Sequence, residues 1–509
     1  MTTLTSTDPR TGTVTETGIG LTDEAEVSRI AERAASAVRQ IADRGRGWRS
    51  ELLRAMARET EAGRELLVAT AAAETGLTEA RLNTELTRCV LQFELFADAV
   101  DEGSFLEAMI DHSTVTPLGP APDIRRILRS IGPVAIFGSS NFPFAFSVLG
   151  GDTAAAVAAG SPVILKAHGS HPLTSRNSFD ALLRAARSVE APEGVLSIVY
   201  GQRTGAQLVA EPAVKAVGFT GSLEVGRLLA DIAARRPEPI PFYGELSSIN
   251  PVVITADALA GRADTLPEDA AASVAGSGGQ LCTKPGVVFV PAGIAGEEFV
   301  ARFAAAVAGA APHAALSARV LDLFDEARGR MRDRPGTTGI EEASAEERGG
   351  SWFSSSVLRV DAADLTPETI EEAFGPFAVV VTYDSEEQLL SALTMVPPSL
   401  TATLHLGAGE HARHDELIRT LTDRSGRVVF DGFPTGVRVS WAQHHGGPWP
   451  STNSIHSSVG VTSMRRFLTP VAYQNAPTEV LPTELHDDHT GIPRRIDGIL
   501  QLAAAEETS

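Results

Sequence analysis

Ile131-Gly132-Pro133-Val134-Ala135-Ile136-Phe137-Gly138 reads as a short apolar run bounded by glycines, the pattern of a strand buried on both faces. The next ninety residues repeat the theme. An Ala-rich helix is predicted over 151–160, then a strand at Pro162-Val163-Ile164-Leu165-Lys166, a helix over 175–186 and a strand over 195–200. A helix over 205–210 and a strand over 216–219 complete the series. Strand and helix alternate, which means βαβ units and a mostly parallel sheet. The fold class is therefore α/β.

Upstream the chain is helical. An acidic first turn at Asp23, Glu24 and Glu26 opens a helix whose Ile30, Ala34, Val38 and Ile41 recur at helical spacing, with Gly45 and Gly47 after it. Further helices are expected over 52–56, 66–73 and 78–100, the last with Cys89 as a core thiol. Residues 1–20 read as an arm or an early strand, and 484–509 as a polar, peripheral end. Beyond about residue 245 strands are expected at 252–254, 287–290, 357–360, 378–383 and 428–430, whereas 308–350 gives no clear pattern.

Composition narrows the function. A chain of 509 residues needs two or three domains. A formal net charge of −21 without a Lys/Arg run argues against nucleic acid and anionic membranes as partners. Two cysteines cannot form a disulfide framework in a chain this size. With no apolar leader and no membrane-length apolar run, a cytoplasmic protein is expected.

Five stretches carry chemistry-bearing residues. Gly276-Ser277-Gly278-Gly279-Gln280-Leu281-Cys282-Thr283-Lys284-Pro285-Gly286 sets a thiol on a Gly-rich turn before a strand. Such a turn lets backbone approach a substrate closely. The thiol is either a nucleophile or a buried core cysteine. Asn141, in Gly138-Ser139-Ser140-Asn141-Phe142-Pro143, follows a strand end where open α/β sheets bind ligands, although turns favour Asn anyway. Lys166 closes an apolar strand and either meets a ribose or phosphate or is simply solvated. Gly221 and Ser222 begin a helix after Phe219-Thr220, placing N–H groups for a pyrophosphate or an ordinary N-cap. Glu245, in Gly244-Glu245-Leu246-Ser247-Ser248, is a general base or a surface carboxylate.

Taken together and in order, these stretches resemble the aldehyde dehydrogenase superfamily, over about residues 20 to 475. The family's Asn-Phe-Pro turn is Asn141-Phe142-Pro143, its Phe-Thr-Gly-Ser loop is Phe219 to Ser222, and its Gly-Gln-x-Cys turn is Gly279 to Cys282. Its Glu-Leu-Gly-Gly motif appears as Glu245-Leu246-Ser247-Ser248, and its Glu-x-Phe-Gly-Pro motif as Glu372 to Pro376. Asp431-Gly432-Phe433-Pro434-Thr435-Gly436 and His445-Gly446-Gly447-Pro448-Trp449-Pro450 look like the 2,5-dioxovalerate (α-ketoglutarate semialdehyde) dehydrogenase branch. That branch shades into NADP-dependent fatty aldehyde dehydrogenases.

The resemblance implies a Rossmann-type dinucleotide-binding domain over 1–107 and 131–245, and a catalytic domain over 246–454. It also implies an oligomerisation element from 108–130 and 455–478, which makes homodimers or homotetramers, and leaves 479–509 as a tail. Cys282 is implied as the nucleophile, Asn141 with the Cys282 N–H as the oxyanion hole, and Glu245 as the base that hydrolyses a thioester. Lys166 would meet the adenosine ribose; Glu372, with Phe374 beside it, would meet the nicotinamide ribose. NAD-preferring members carry Glu three residues after the Lys; here Gly169 stands there, and Arg203 resembles an arginine used for a 2′-phosphate. NADP is therefore expected, with NAD as the alternative, and no metal. Phe142, Phe144, Phe433, Trp441 and Trp449 are candidates for an apolar substrate tunnel or for core packing. Glu94 stands where the branch commonly has Arg, which speaks for a neutral aldehyde over an acidic one. A cofactor-free cysteine hydrolase using Cys282 with Glu245, His444 or His445, and a non-catalytic protein on the same fold, are the alternatives.

Overall fold

The computed structural model describes residues 3–342 and 348–504; the extreme ends of the predicted first domain and tail (1–2 and 505–509) and 343–347 lie outside the described residues. Its centre is a five-stranded parallel sheet. The spatial order is Phe242–Glu245, Ala216–Thr220, Val134–Phe137, Val163–Lys166, Leu196–Val199. The order reverses between Val134–Phe137 and Ala216–Thr220. The loops leaving those two neighbouring strands are the Asn141 turn and the Gly221-Ser222 turn. A crevice at such a reversal is where open α/β sheets bind nucleotides.

Seven helices build and flank this half. α1 (Glu24–Ala62) is interrupted at Gly45, whose φ of 75° no L-residue adopts cheaply. α2 (Arg64–Thr75) and α3 (Glu79–Glu102) follow, and α3 packs along α1. α4 (Gly151–Ala159), α5 (Pro172–Ser188), α6 (Gln202–Ala210) and α7 (Leu223–Arg235) connect the strands. Cys89 is fully buried on α3 among Leu86, Phe93 and Phe96. Two buried carboxylates tie α2 and α3 to the sheet. Glu74 accepts from the Leu173 and Thr174 N–H groups and from the Thr174 hydroxyl, capping the start of α5. Glu85 accepts from the Phe144 and Ala145 N–H groups at 2.8 and 2.9 Å, which fixes the turn that carries Asn141.

A second sheet has seven strands in the order Thr338–Glu342, Ser356–Asp361, Phe377–Tyr383, Val287–Pro291, Val252–Ile254, Ser399–His405, Ser425–Phe430. All pair in parallel except the first. Its central strands are buried on both faces, with two apolar clusters above and below. The unpatterned stretch 308–350 contributes a helix, Ala318–Arg332, and the antiparallel edge strand Thr338–Glu342.

A third sheet joins Leu468–Gln474, Ile124–Ser130, Met109–Asp111, Arg494–Ile496 and Ile499–Gln501. One expectation needs correction. The C-terminal segment is not peripheral. Arg494–Ile496 pairs in parallel with Met109–Asp111, and Leu485 and Ile492 are buried in the main core, so apolar side chains spaced through a polar stretch do the anchoring. Of the two readings of the first residues, the early strand is the one found: Thr3–Thr7 pairs with Val14–Gly20 in a β-hairpin whose inward positions are Ser6, Thr17 and Ile19. Among the described residues no helix is long and apolar enough to cross a membrane.

Candidate active site

The Cys282 loop and the Glu372 loop both precede strands of the seven-stranded sheet; the Asn141, Gly221 and Glu245 segments all lie at the ends of strands of the five-stranded sheet. The site is built where these two edges meet. Gly279, at φ 65°, makes the closest approach: a Cβ there would lie 2.1 Å from the Gly375 carbonyl oxygen. Ser277 and Gly278 also have positive φ, so three consecutive left-handed residues turn the chain before the cysteine. Gln280 then ties the turn down, donating from Nε2 to the Ala314 carbonyl and accepting from the Leu316 N–H.

Cys282 is half-buried. Its Sγ lies 3.6 Å from His445 Nε2, and the same nitrogen is 3.0 Å from Glu245 Oε1. The second carboxylate oxygen accepts from Ser458 Oγ at 2.7 Å. The thiol, imidazole and carboxylate atoms all fall within 4.8 Å of one another. Burial pushes the Cys282 thiol well up, and the Glu245 carboxylate beside it adds to the rise, with Arg88 opposing. Burial also acts to raise the Glu245 carboxyl, but His445, Ser458 and the thiol outweigh it and hold it below the usual carboxylate range. At neutral pH the unliganded site therefore pairs a protonated thiol with an ionised carboxylate.

Asn141 is buried, and its Nδ2 donates to the Gln280 carbonyl at 3.0 Å, two residues before the cysteine. One amide hydrogen is thus used on the loop and the other is free for a ligand. Arg81 holds this turn from α3: its Nη2 donates to the Asn141 carbonyl at 2.7 Å and its guanidinium lies 4.8 Å from the Phe142 ring centroid.

Of the five tunnel candidates, Phe142 follows Asn141, whose amide reaches the cysteine loop. It meets Phe146 edge-on at 5.2 Å, and Phe146 lies 6.1 Å from the His445 ring. Phe144 is a correction. It is fully buried in the core, with no surface open to a water-sized molecule, so it cannot line a passage. The turn explains this: Phe146 N–H bonds Phe142 O, which sets residues 142 and 146 on one side and 144 on the other. Phe433 packs on the buried His405 ring at 4.9 Å. Trp441 and Trp449 are about half exposed, the latter against Arg227.

The predicted cofactor residues end or follow strands of the five-stranded sheet, except Glu372 and Phe374, which lie on the loop before Phe377–Tyr383 of the second sheet. Ser222 caps α7 through Val225 N–H at 3.4 Å, and the Gly221 N–H donates to the Glu245 carbonyl. Lys166 ends its strand beside α6: a Cβ on Gly205 would sit 3.8 Å from its Cε. Burial lowers the Lys166 amine. Arg203 is exposed in the first turn of α6, and Gly169 is exposed with nothing within 4 Å of an added Cβ. The Glu372 carboxyl is raised by burial, against bonds from Ser247 and the Ser248 N–H and the nearby Lys284 cation. These groups suit a nicotinamide dinucleotide: a glycine turn and free helix N–H groups for the pyrophosphate, a carboxylate and a lysine for the two riboses.

Several residues of the site are not among the predicted catalytic and cofactor residues. His445 enters only with the hydrolase alternative, although the His-Gly-Gly-Pro stretch marks it. Ser458, Asn250, Lys284, Phe146, Arg88 and Arg427 carry no motif. The signal for Arg88 is helical spacing: Arg81, Glu85, Arg88 and Gln92 form a polar stripe within an otherwise apolar helix face. Glu94, by contrast, is exposed, so it faces no buried ligand within this chain.

Residues 2–446 match the model of the aldehyde dehydrogenase family. The chain is 38% identical over 482 residues to an alpha-ketoglutaric semialdehyde dehydrogenase of Acinetobacter baylyi, covering 93% of this chain and 91% of that protein. It is 39% identical over 507 residues to alpha-ketoglutaric semialdehyde dehydrogenase 2 of Azospirillum brasilense, covering 97% and 96%. Among solved structures, 1-pyrroline-5-carboxylate dehydrogenase from Thermus with bound NAD superposes with a TM-score of 0.79 at 21% identity, over 93% of this chain and 90% of that one.

Proposed function

The chain belongs to the aldehyde dehydrogenase family and is an NAD(P)-dependent aldehyde dehydrogenase, and on that premise we propose that it oxidises α-ketoglutarate semialdehyde, or a close acidic relative, to the carboxylic acid with NADP preferred. The observation that carries the substrate is the identity of 38–39% to two enzymes of that name over more than nine-tenths of the chain.

In this reading the Cys282 sulfur attacks the aldehyde carbon and forms a thiohemiacetal. The thiol proton has one acceptor within reach, the Glu245 carboxylate, which returns it to solvent before hydrolysis; His445 Nε2 donates to that carboxylate and so faces the sulfur as a donor. The free hydrogen of Asn141 Nδ2 and the Cys282 N–H stabilise the oxyanion; losing one such donor costs on the order of 10²–10³ in rate. A bound nicotinamide dinucleotide supplies the two-electron acceptor that turns the thiohemiacetal into a thioester. Glu245, ionised and held by Ser458, then takes a proton from water to hydrolyse the thioester. Its bond to His445 keeps the carboxylate oriented between turnovers.

The hydrolase alternative is disfavoured by the same geometry. In a Cys-His-carboxylate relay the thiol and the acid bond opposite nitrogens of the imidazole. Here both approach Nε2, and His445 Nδ1 is buried without a hydrogen-bond partner among the described residues. The preference for NADP is supported by Gly169 and Arg203: no carboxylate stands to repel a 2′-phosphate, and a guanidinium fork suits one.

The test is the near-ultraviolet absorbance of reduced nicotinamide with NADP or NAD and a panel of α-ketoglutarate semialdehyde, succinic semialdehyde, butanal and a long alkanal. Signal with the acidic semialdehydes and NADP is expected. A preference for the alkanals overturns the substrate, and a preference for NAD overturns the cofactor.

A further inference from the structure

The helix α3 face turned toward the site carries buried polar atoms with no hydrogen-bond partner among the described residues: Arg81 Nη1, Glu85 Oε2, Arg88 Nε and Nη2, and Gln92 Nε2. They recur at helical spacing. Buried donors are almost always bonded, so a row of orphans marks a space that something polar fills. Arg88 stands out. Its guanidinium lies 5.1 Å from the Phe146 ring centroid, and Phe146 in turn lies 6.1 Å from His445, the residue that touches Cys282. One aromatic ring therefore separates this cation from the nucleophile's partner.

The two orphaned nitrogens are the side edge of the fork, Nε with Nη2. That edge makes two parallel hydrogen bonds to a carboxylate. Arg427 approaches the cysteine from the strand Ser425–Phe430. Its Nη1 and Nη2 donate to the Gly436 and Pro434 carbonyls, and its Nε has no hydrogen-bond partner among the described residues. Neither guanidinium forms an ion pair among the described residues. Burial lowers the Arg427 guanidinium, while a Cys282 thiolate raises it, so the two groups sense each other. The Glu85 carboxylate one turn away reaches Arg88 electrostatically but makes no hydrogen bond to it; a buried cation without a bonded counter-ion is costly, and an anionic ligand removes that cost. The chain's formal net charge of −21 makes such a local cation all the more necessary for an acidic substrate.

We propose that Arg88, with Arg427 as a second cation of the site, binds the carboxylate at the far end of the substrate and sets the specificity of this enzyme for short ω-oxo acids over neutral aldehydes. This rests on the aldehyde-oxidising reading of the Cys282 site and deepens it. Phe142 and Phe146 provide the apolar wall along which the carbon chain lies. Arg427 also anchors the 434–436 turn through its Nη atoms, so Arg88 is the residue to alter.

The experiment compares wild type, Arg88→Gln and Arg88→Lys on succinic semialdehyde and butanal, which have equal carbon number. The expected result is a fall in the acid-to-alkanal ratio of kcat/KM by roughly 10- to 100-fold in Arg88→Gln, carried mainly by KM. Arg88→Lys, which keeps the charge without the fork, should recover part of it. Glutarate should inhibit wild type competitively against either aldehyde, and less well in Arg88→Gln. An unchanged ratio overturns the proposal, whether both rates fall together or neither does. If wild type oxidises no aldehyde, the functional reading has failed, and calorimetric titration with glutarate decides the site separately. Binding lost in Arg88→Gln upholds it; no binding, or equal binding, overturns it.

Discussion

Asn250 Nδ2 donates to the carbonyls of both Cys282 and Lys284, at 2.8 and 3.0 Å, and so clamps the cysteine loop from beneath. Its Oδ1 accepts from Ser248 Oγ and from the Thr401 N–H and hydroxyl, tying the clamp to the neighbouring strand. The backbone is left-handed here, with φ 57°, a region that Asn tolerates better than most residues. Asn250→Ala strands two buried carbonyls, at a cost of about 2–4 kcal/mol. A lower melting temperature is expected, with kcat reduced more than cofactor affinity. Unchanged melting would mean that the loop holds its shape without the clamp.

The Cys282 thiol should react slowly with iodoacetamide at neutral pH, because burial and then the Glu245 charge raise it above the ordinary 9.0. The alkylation rate should climb with pH across the alkaline range. Glu245→Gln removes a like charge from the thiolate's surroundings, so its profile should move to lower pH. A profile that stays in place would show that the carboxylate does not reach the sulfur electrostatically.

Cofactor choice can be tested at Gly169, which is exposed and where an added Cβ meets nothing within 4 Å. Gly169→Glu places a carboxylate near the adenosine side of the crevice. The NADP-to-NAD ratio of kcat/KM should fall roughly tenfold or more through like-charge repulsion. Arg203→Gln should move the same ratio in the same direction. Failure of both would put the 2′-phosphate elsewhere.

Gly279→Ala tests the meeting of the two loops. Its Cβ would stand 2.1 Å from Gly375 O and 2.6 Å from Pro376 N, backbone atoms that cannot swing aside. The left-handed φ of 65° adds strain. The loss should be about 3 kcal/mol or more, read as a large fall in melting temperature or in folded yield. Near-native stability would mean that the Glu372 and Cys282 loops can part.

Much of this architecture is legible in the sequence because it is local. The strand-helix alternation from Val134 to Thr220 follows from short apolar runs, and the turn of Gly276–Gly279 follows from its glycines. What the sequence hides is tertiary. His445 reaches the cysteine across 163 residues, and Asn250 acts on carbonyls 32 and 34 residues on. Neither distance leaves a periodic trace. Phe142, Phe144 and Phe146 look alike as residues, and only the turn's hydrogen bond separates the two beside the site from the one in the core. Arg88 and Glu94 share one helix; helical rotation alone decides that the first is turned inward and the second outward.

Lys284, two residues past the cysteine, offers a test of burial through pH. Its ammonium is enclosed and donates to the Ala373 and Phe377 carbonyls at 3.1 and 2.8 Å, which holds the Glu372 loop against the cysteine strand. Burial lowers its pKa from 10.5 to about 8. Between those values the unfolded chain keeps the proton and the folded chain does not. Stability from this group is therefore lowest below about pH 8 and rises with pH toward 10.5. The span is of order 3 kcal/mol. Lys284→Met removes the titration, so the stability difference, wild type minus variant, should grow with pH across this window in denaturant melts. A difference flat from pH 7 to 10.5 would mean that the amine stays charged in the fold, kept so by its two carbonyls and Glu372.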